Sequence, residues 1–126
     1  MKATHKHRAV QKLEALGWQV ADVEKWIAQA KRRIDLFGCL DLLAVRDGET
    51  LGVQVTSPPN VGAHVTKMLA EPRLVDCLRA GWRIELWGVR NQSVRDGSFA
   101  LARVFELTNG GKTVAVYQGS DVLEKD

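Results

Sequence analysis

Asp41 is the first residue in the chain that demands a chemical explanation. It interrupts an apolar run, between Leu40 on one side and Leu42 and Leu43 on the other. A carboxylate buried among leucines is costly unless it is paired, hydrogen-bonded or bound to a metal. A second polar residue, Gln54, sits among Leu51, Val53 and Val55 in the next apolar run, and Thr56 follows two residues later. Residues two apart in a strand point to one face, so Gln54 and Thr56 share a side. If the two runs pair, Asp41, Gln54 and Thr56 line one polar spot on a hydrophobic sheet. The alternatives are an Asp41 that contacts a turn or an arginine, Arg33 or Arg46, and a Gln54 and Thr56 on an exposed sheet face.

The elements that must position these residues can be read from the periodicity. Ala9, Val10, Leu13 and Leu16 form one stripe of a helix from about Thr4 to Leu16, with Thr4 as N-cap and Gly17 as C-cap. Trp18-Gln19-Val20 opens an extended segment. Leu40 to Val45 and Leu51 to Thr56 read as a hairpin of buried strands around the Asp47-Gly48 turn. Pro58-Pro59 ends the second strand. A helix from Val61 to Ala70 follows, with Asn60 as N-cap. Pro72 separates it from a second helix, Arg73 to Ala80, closed by Gly81. Trp82 to Val89 alternates as a strand. Phe99 to Leu107 and Val114 to Tyr117 form a last hairpin around Asn109-Gly110-Gly111. The polar tail, Gly119 to Asp126, is expected to fray. One stretch stays open. Val23, Trp26, Ile27 and Ala30 have helical spacing behind a capping Asp22, yet the same residues fit a strand to about Trp26 followed by a turn. Strands mixed with helices predict an α/β domain, a sheet with helices packed on it, over residues 1–126.

Composition bounds the function. The chain has 126 residues, 45% of them hydrophobic and 26% charged, an ordinary globular balance. No apolar run approaches the roughly 18 residues of a membrane span, and the first residues carry no secretory pattern, so a cytoplasmic protein without a membrane partner is expected. Cys39 and Cys77 form no CxxC pair and read as reduced thiols rather than zinc ligands. The net charge of +3 is compatible with a polyanion. Its basic residues cluster at Lys2, Lys6, Arg8 and Lys12 and again at Lys31, Arg32 and Arg33, while Arg73, Arg79, Arg83, Arg90 and Arg95 scatter later. The tryptophans at 18, 26, 82 and 87 could stack on bases, but their positions favour core and rim packing.

The run Arg33-Ile34-Asp35-Leu36-Phe37-Gly38-Cys39-Leu40-Asp41-Leu42-Leu43-Ala44, followed by Leu51-Gly52-Val53-Gln54-Val55-Thr56, resembles the heart of the PD-(D/E)XK nuclease superfamily. Small bacterial and phage members and Holliday-junction resolvases share this layout. Leu13-Glu14-Ala15-Leu16-Gly17-Trp18 is similar to the end of their first helix. The resemblance covers Lys6 to Leu69. It implies a restriction-endonuclease-like mixed sheet flanked by helices, DNA as partner, Mg²⁺ or Mn²⁺ as cofactor, and, from the resolvase-like members, a homodimer.

Carried over residue by residue, the family's strand aspartate falls on Asp41. Its next carboxylate falls on Gln54 and its lysine on Thr56, both departures; the resolvases' early helical glutamate falls near Lys6 to Arg8, where no acid stands. The implied metal set is Asp41, the carbonyl of Gln54 and the backbone carbonyl of Val55. An amide in place of a carboxylate removes a unit charge beside a dication, and two unit charges at ~4 Å are worth about 4 kcal/mol at an effective dielectric near 20. Two residues could compensate. Asp35 adds a carboxylate if the chain turns at Gly38, and Lys67 on the following helix offers a relocated lysine, although a solvated helix lysine is the plainer reading. The resemblance thus implies a metal-dependent nuclease with a catalytic set of Asp41, Gln54, Thr56 and Lys67. The alternative is a catalytically inactive nucleic-acid-binding or assembly module on the same fold. Lys6, Arg8, Lys12, Lys31, Arg32 and Arg33 would contact phosphates in either case.

Overall fold

The computed structural model describes residues 4–91, 99–116 and 119–124. Helix α1 spans His5–Ala15, and strands β1 (Gln19–Asp22), β2 (Lys25–Ile27) and β3 (Arg32–Ile34) follow. Then come β4 (Leu42–Arg46), β5 (Glu49–Thr56), a short 3-10 turn at Pro58–Asn60, helices α2 (Val61–Leu69) and α3 (Pro72–Arg79), and strands β6 (Arg83–Val89), β7 (Ala100–Leu107) and β8 (Thr113–Val116). A last turn of helix, α4, covers Asp121–Glu124.

The fold is mixed α/β. Six strands form one sheet in the order β1-β4-β5-β6-β7-β8, and β2 and β3 form a separate hairpin. All pairs in the large sheet are antiparallel except β5 with β6. The Asp47-Gly48 turn joins β4 to β5, with Arg46 opposite Glu49. Both turn residues have positive φ, 48° and 81°, the geometry that matches a two-residue hairpin to the strand twist.

Alternation along the strands sorts the core into two layers. Leu42, Ala44, Leu51, Val53, Val55, Trp87 and Val89 pack against Ala9 and Leu13 of α1. On the other face Ile84, Leu86 and Phe105 pack with Leu40, Met68, Leu74 and Cys77 of the α2–α3 side. Burying both faces explains why β5 and β6 read as near-continuous apolar runs. Glu85, fully buried on β6, is satisfied by Trp87, whose Nε1 donates to it at 2.8 Å, and by the Arg83 guanidinium. Gly88 is required by close approach. A Cβ there would stand 2.5 Å from Val61 Cγ2 and 3.1 Å from Pro58 Cα, so glycine lets the chain leaving β5 cross tightly over β6.

The six strands of the sheet are those read from the sequence. Three local readings change. The stretch from Val23 to Ala30 is not a helix, and β1 does not run on to Trp26. It ends at Asp22, whose Oδ1 accepts the Glu24 N–H at 3.1 Å instead of capping a helix. Lys25 then pairs with Ile34, Trp26 with Arg33 and Ile27 with Arg32. The tail does not simply fray, because Ser120 Oγ accepts the Val122 N–H and Val122 is buried in the α1-side core. Trp18 and Trp87 are core residues as expected, whereas Trp26 is 57% exposed. Lys2, Arg95, Tyr117, Lys125 and Asp126 lie outside the described residues. Among the described residues, no helix is long and apolar enough to cross a membrane.

Candidate functional site

A cleft of about 420 Å³ opens at the C-terminal end of β5. It lies between Val55, Thr56 and Ser57 on one side and Thr4, His5 and Lys6 of the first turn of α1 on another. Thr4 fixes that turn by accepting the His7 N–H at 3.0 Å, and the N-terminal end of α1, where a helix dipole is positive, thus lines the cleft. Asp41, Glu24, Arg33 and Asn60 complete the wall.

Asp41 sits one residue before β4. Its backbone is held at both sides, by its N–H to the Val53 carbonyl and by the Val23 N–H to its own carbonyl, each at 2.9 Å. The side chain is 5% exposed. Its Oδ2 accepts the Gln54 Nε2–H at 3.0 Å and the Val55 backbone N–H at 2.9 Å. The hairpin turn therefore brings Asp41 to Gln54, and its partners are an amide and a backbone N–H, not Arg33 or Arg46. Gln54 presents nitrogen to the carboxylate, so its link to the site runs through Asp41. Arg46 is spent elsewhere, on the Leu16 carbonyl at 2.6 Å and over the Trp18 ring.

Asp35 joins Asp41 because the chain reverses between them. Gly38, with φ +71°, donates its N–H to the Asp35 carbonyl at 3.0 Å, and Leu36 and Leu40 bridge across the turn. Glu24, just before β2, completes a group of three carboxylates whose nearest oxygens all lie within 4.8 Å of one another. These three could hold a metal ion. Oxygen ligands are what a hard divalent cation takes, and ligands on opposite sides of one lie about 4 to 5 Å apart. Sequence reasoning missed Glu24, because it borders the stretch whose periodicity left helix and strand unresolved.

The charges in the cluster are pushed apart. Burial, then the hydrogen-bonding contact with Asp35, raises Asp41 to about 7, against the relief given by the Val55 N–H. Glu24 moves the other way. Burial raises it, but Lys6, Asp35 and Arg33 together outweigh that and leave it lowered. Lys6 Nζ lies 2.7 Å from Glu24 and 2.8 Å from Asp22, and Arg33 Nη1 lies 3.3 Å from Glu24. Burial lowers the Lys6 ammonium, yet its bonds to Asp22 and Glu24 leave it raised. The site thus holds one carboxyl able to exchange a proton near neutral pH and one fixed carboxylate between two cations.

The remaining sequence candidates fall in different places. Val55 and Thr56 line the cleft. Lys67 is exposed on α2 and does not belong to the cleft wall. Arg8 and Lys12 lie over the Phe99 ring at 5.5 and 5.7 Å. Lys31 and Arg32 are exposed on the β2–β3 hairpin with Arg33. Cys39 and Cys77 pack in the opposite core layer from α1 and its histidines. Burial pushes the Cys39 thiol up to about 12 and raises that of Cys77, which keeps both as neutral thiols. No protein-family model, curated protein or solved structure matches this chain.

Proposed function

We propose that the protein is a metal-dependent nuclease-like enzyme acting on DNA phosphodiester bonds, with Glu24, Asp35 and Asp41 holding Mg²⁺ or Mn²⁺. The observation that carries this reading is the convergence of these carboxylates, from three separated sequence positions, beside a cleft that also presents Lys6 and Arg33. The PD-(D/E)XK resemblance supports it at Asp41. The other two carboxylates depart from the family pattern and come from the ends of the β2–β3 hairpin in place of β5. When bound, the ion would polarise a phosphate and activate water.

The chain's own residues supply the rest. Gln54 and the Val55 N–H fix the Asp41 carboxyl. Asp41, raised to about 7 in the metal-free site, would give up its proton to take the ion. Lys6, anchored on Glu24 and Asp22, stands in the cleft where a developing negative charge needs a cation, the place left open by Thr56 and by the remote Lys67.

A second reading rests on a specific observation. Glu24 is already neutralised by Lys6 and Arg33, and Asp41 is hydrogen-bonded by Gln54, so part of the cluster is satisfied without metal. On this reading the domain binds nucleic acid or assembles with it without cleaving. The deciding experiment is a nuclease assay with Mg²⁺ or Mn²⁺ on junction, duplex and single-stranded DNA, comparing wild type with Asp41→Ala. Metal-dependent cleavage lost in Asp41→Ala supports the enzyme. Salt-sensitive binding by both proteins without cleavage supports the module.

A further inference from the structure

The β2–β3 hairpin stands outside the large sheet, and its two ends are two of the cluster carboxylates: Glu24 precedes β2 and Asp35 follows β3. Between them, residues 25–34 contain Lys25, Lys31, Arg32 and Arg33 and no acid. Residues 1–13 likewise hold four basic residues, Lys2, Lys6, Arg8 and Lys12, and no acid, so the hairpin is one of the two segments that carry the protein's basic character.

Trp26 is 57% exposed, the most exposed large hydrophobic side chain among the described residues. It pairs with Arg33 across the hairpin, and directly opposed residues share a face. Arg33 lines the cleft and reaches Glu24, so Trp26, which is not itself in the cleft wall, shares its face with the residue that links the hairpin to the carboxylates. Glu24 lies two residues before Trp26 and Asp35 two after Arg33, each one residue beyond its strand, so at most about 7 Å of extended chain separates the paired residues from the carboxylates. A flat aromatic surface therefore stands about one strand repeat along the chain from the cluster carboxylates, on one of the two most cationic segments of the chain.

From this placement we infer that the β2–β3 hairpin binds an unpaired nucleotide, with its base stacked on Trp26, a neighbouring phosphate near Arg33 on the same face, and the strand drawn to the hairpin by the combined charge of Lys31, Arg32 and Arg33. The inference deepens the nuclease reading and rests on it for the role of the cleft. It specifies a substrate with single-stranded character at the site, such as a flap, a junction branch or a free strand. A duplex buries the faces of its bases in its own stack and offers Trp26 nothing to cover. Stacking is tolerant of base identity, so the site selects strandedness and not sequence.

The test is equilibrium binding in EDTA, where cleavage plays no part, with labelled oligo-dT, oligo-rU of equal length and a DNA duplex. Wild type is compared with Trp26→Ala, Trp26→Phe and the double variant Lys31→Ser/Arg32→Ser, each checked for its fold by circular dichroism. Trp26→Ala is expected to weaken single-strand binding by about five- to hundredfold, Trp26→Phe to restore most of it, and duplex binding to change less than about twofold. The Lys31→Ser/Arg32→Ser variant is expected to flatten the salt dependence for each ligand. The comparison of oligo-dT with oligo-rU tells which nucleic acid is preferred. Single-strand binding that is insensitive to Trp26→Ala, an equal loss on duplex and single strand, or no binding to any of the three overturns the inference. Self-association that Trp26→Ala abolishes, without nucleic-acid binding, would assign the hairpin to a protein interface instead. Cleavage without Trp26 dependence sinks this inference alone, and Trp26-dependent binding without cleavage sinks the nuclease reading alone.

Discussion

Gln54 donates its side-chain amide to Asp41 across 3.0 Å in the interior of the sheet, and the adjacent Val55 N–H donates to the same oxygen. One carboxylate oxygen is thus satisfied by β5, while the Asp41 carboxyl also meets Asp35. Gln54 is thus a clamp on the carboxyl beside it.

The proton on Asp41 makes metal-free stability depend on pH. Its folded pKa of about 7 lies above the unfolded value of about 3.9. A raised carboxyl contributes stability that is fully present below the unfolded pKa and is lost as pH rises through the folded one. Asp41→Asn removes this titration. Denaturant unfolding between about pH 5 and about pH 8 should show wild type losing up to a few kcal/mol relative to Asp41→Asn. Glu24, whose pKa is lowered, loses stability as pH falls and acts below this window.

The same proton must leave before a divalent cation binds. Affinity for Mn²⁺, followed by calorimetry, is expected to rise up to about tenfold per pH unit below about 7 and to level off above it. Asp35→Asn should weaken binding at every pH and reduce the pH dependence, because Asp35 helps hold the proton on Asp41. Binding that is independent of pH over this range would contradict the assignment of Asp41 as a ligand.

Substitutions at Gln54 separate clamp from ligand. Gln54→Ala removes a buried donor to Asp41 and should destabilise the protein by about 1–3 kcal/mol. Gln54→Glu puts a further carboxylate against Asp41, in addition to Asp35. It should lower the metal-free melting temperature at pH above about 7 and increase the stabilisation given by Mg²⁺, since like charges held together repel until a cation joins them. Thermal melts with and without Mg²⁺ read both effects.

Lys6→Met keeps the stem of the side chain and removes the charge. Glu24, largely covered and left with Arg33 as its cation, should rise in pKa, and stability should fall by about 1–3 kcal/mol at neutral pH. Carboxyl-detected NMR titration of Glu24 checks the first effect and denaturant unfolding the second. An unmoved Glu24 would show that the ion pair has no influence on the cluster.

The sequence by itself determined the sheet and its polar spot. Alternating or continuous apolar runs bounded by Gly, Pro and Asp-Gly pairs are local signals, and they located the six strands of the large sheet and helices α1, α2 and α3. The Asp47-Gly48 turn fixed the register that sets Asp41 beside Gln54, because a two-residue turn leaves little choice of pairing. The turn at Gly38 likewise made Asp35 a candidate. Tertiary structure alone decided the rest. Glu24 enters the cluster because the chain leaves the large sheet after Asp22 and returns as a separate hairpin, and the spacing of Val23, Trp26, Ile27 and Ala30 fits helix and strand alike. Lys6 and Arg33 turn inward to Glu24, while Lys67 stays on the surface of α2. A charge near others in the sequence carries no information about which carboxylate it will face. Trp26 was read as packing because its spacing is that of an apolar stripe, and its exposure follows from a hairpin with no layer of the core above it. Periodicity reports which residues share a face; whether another element covers that face is settled by packing at long range.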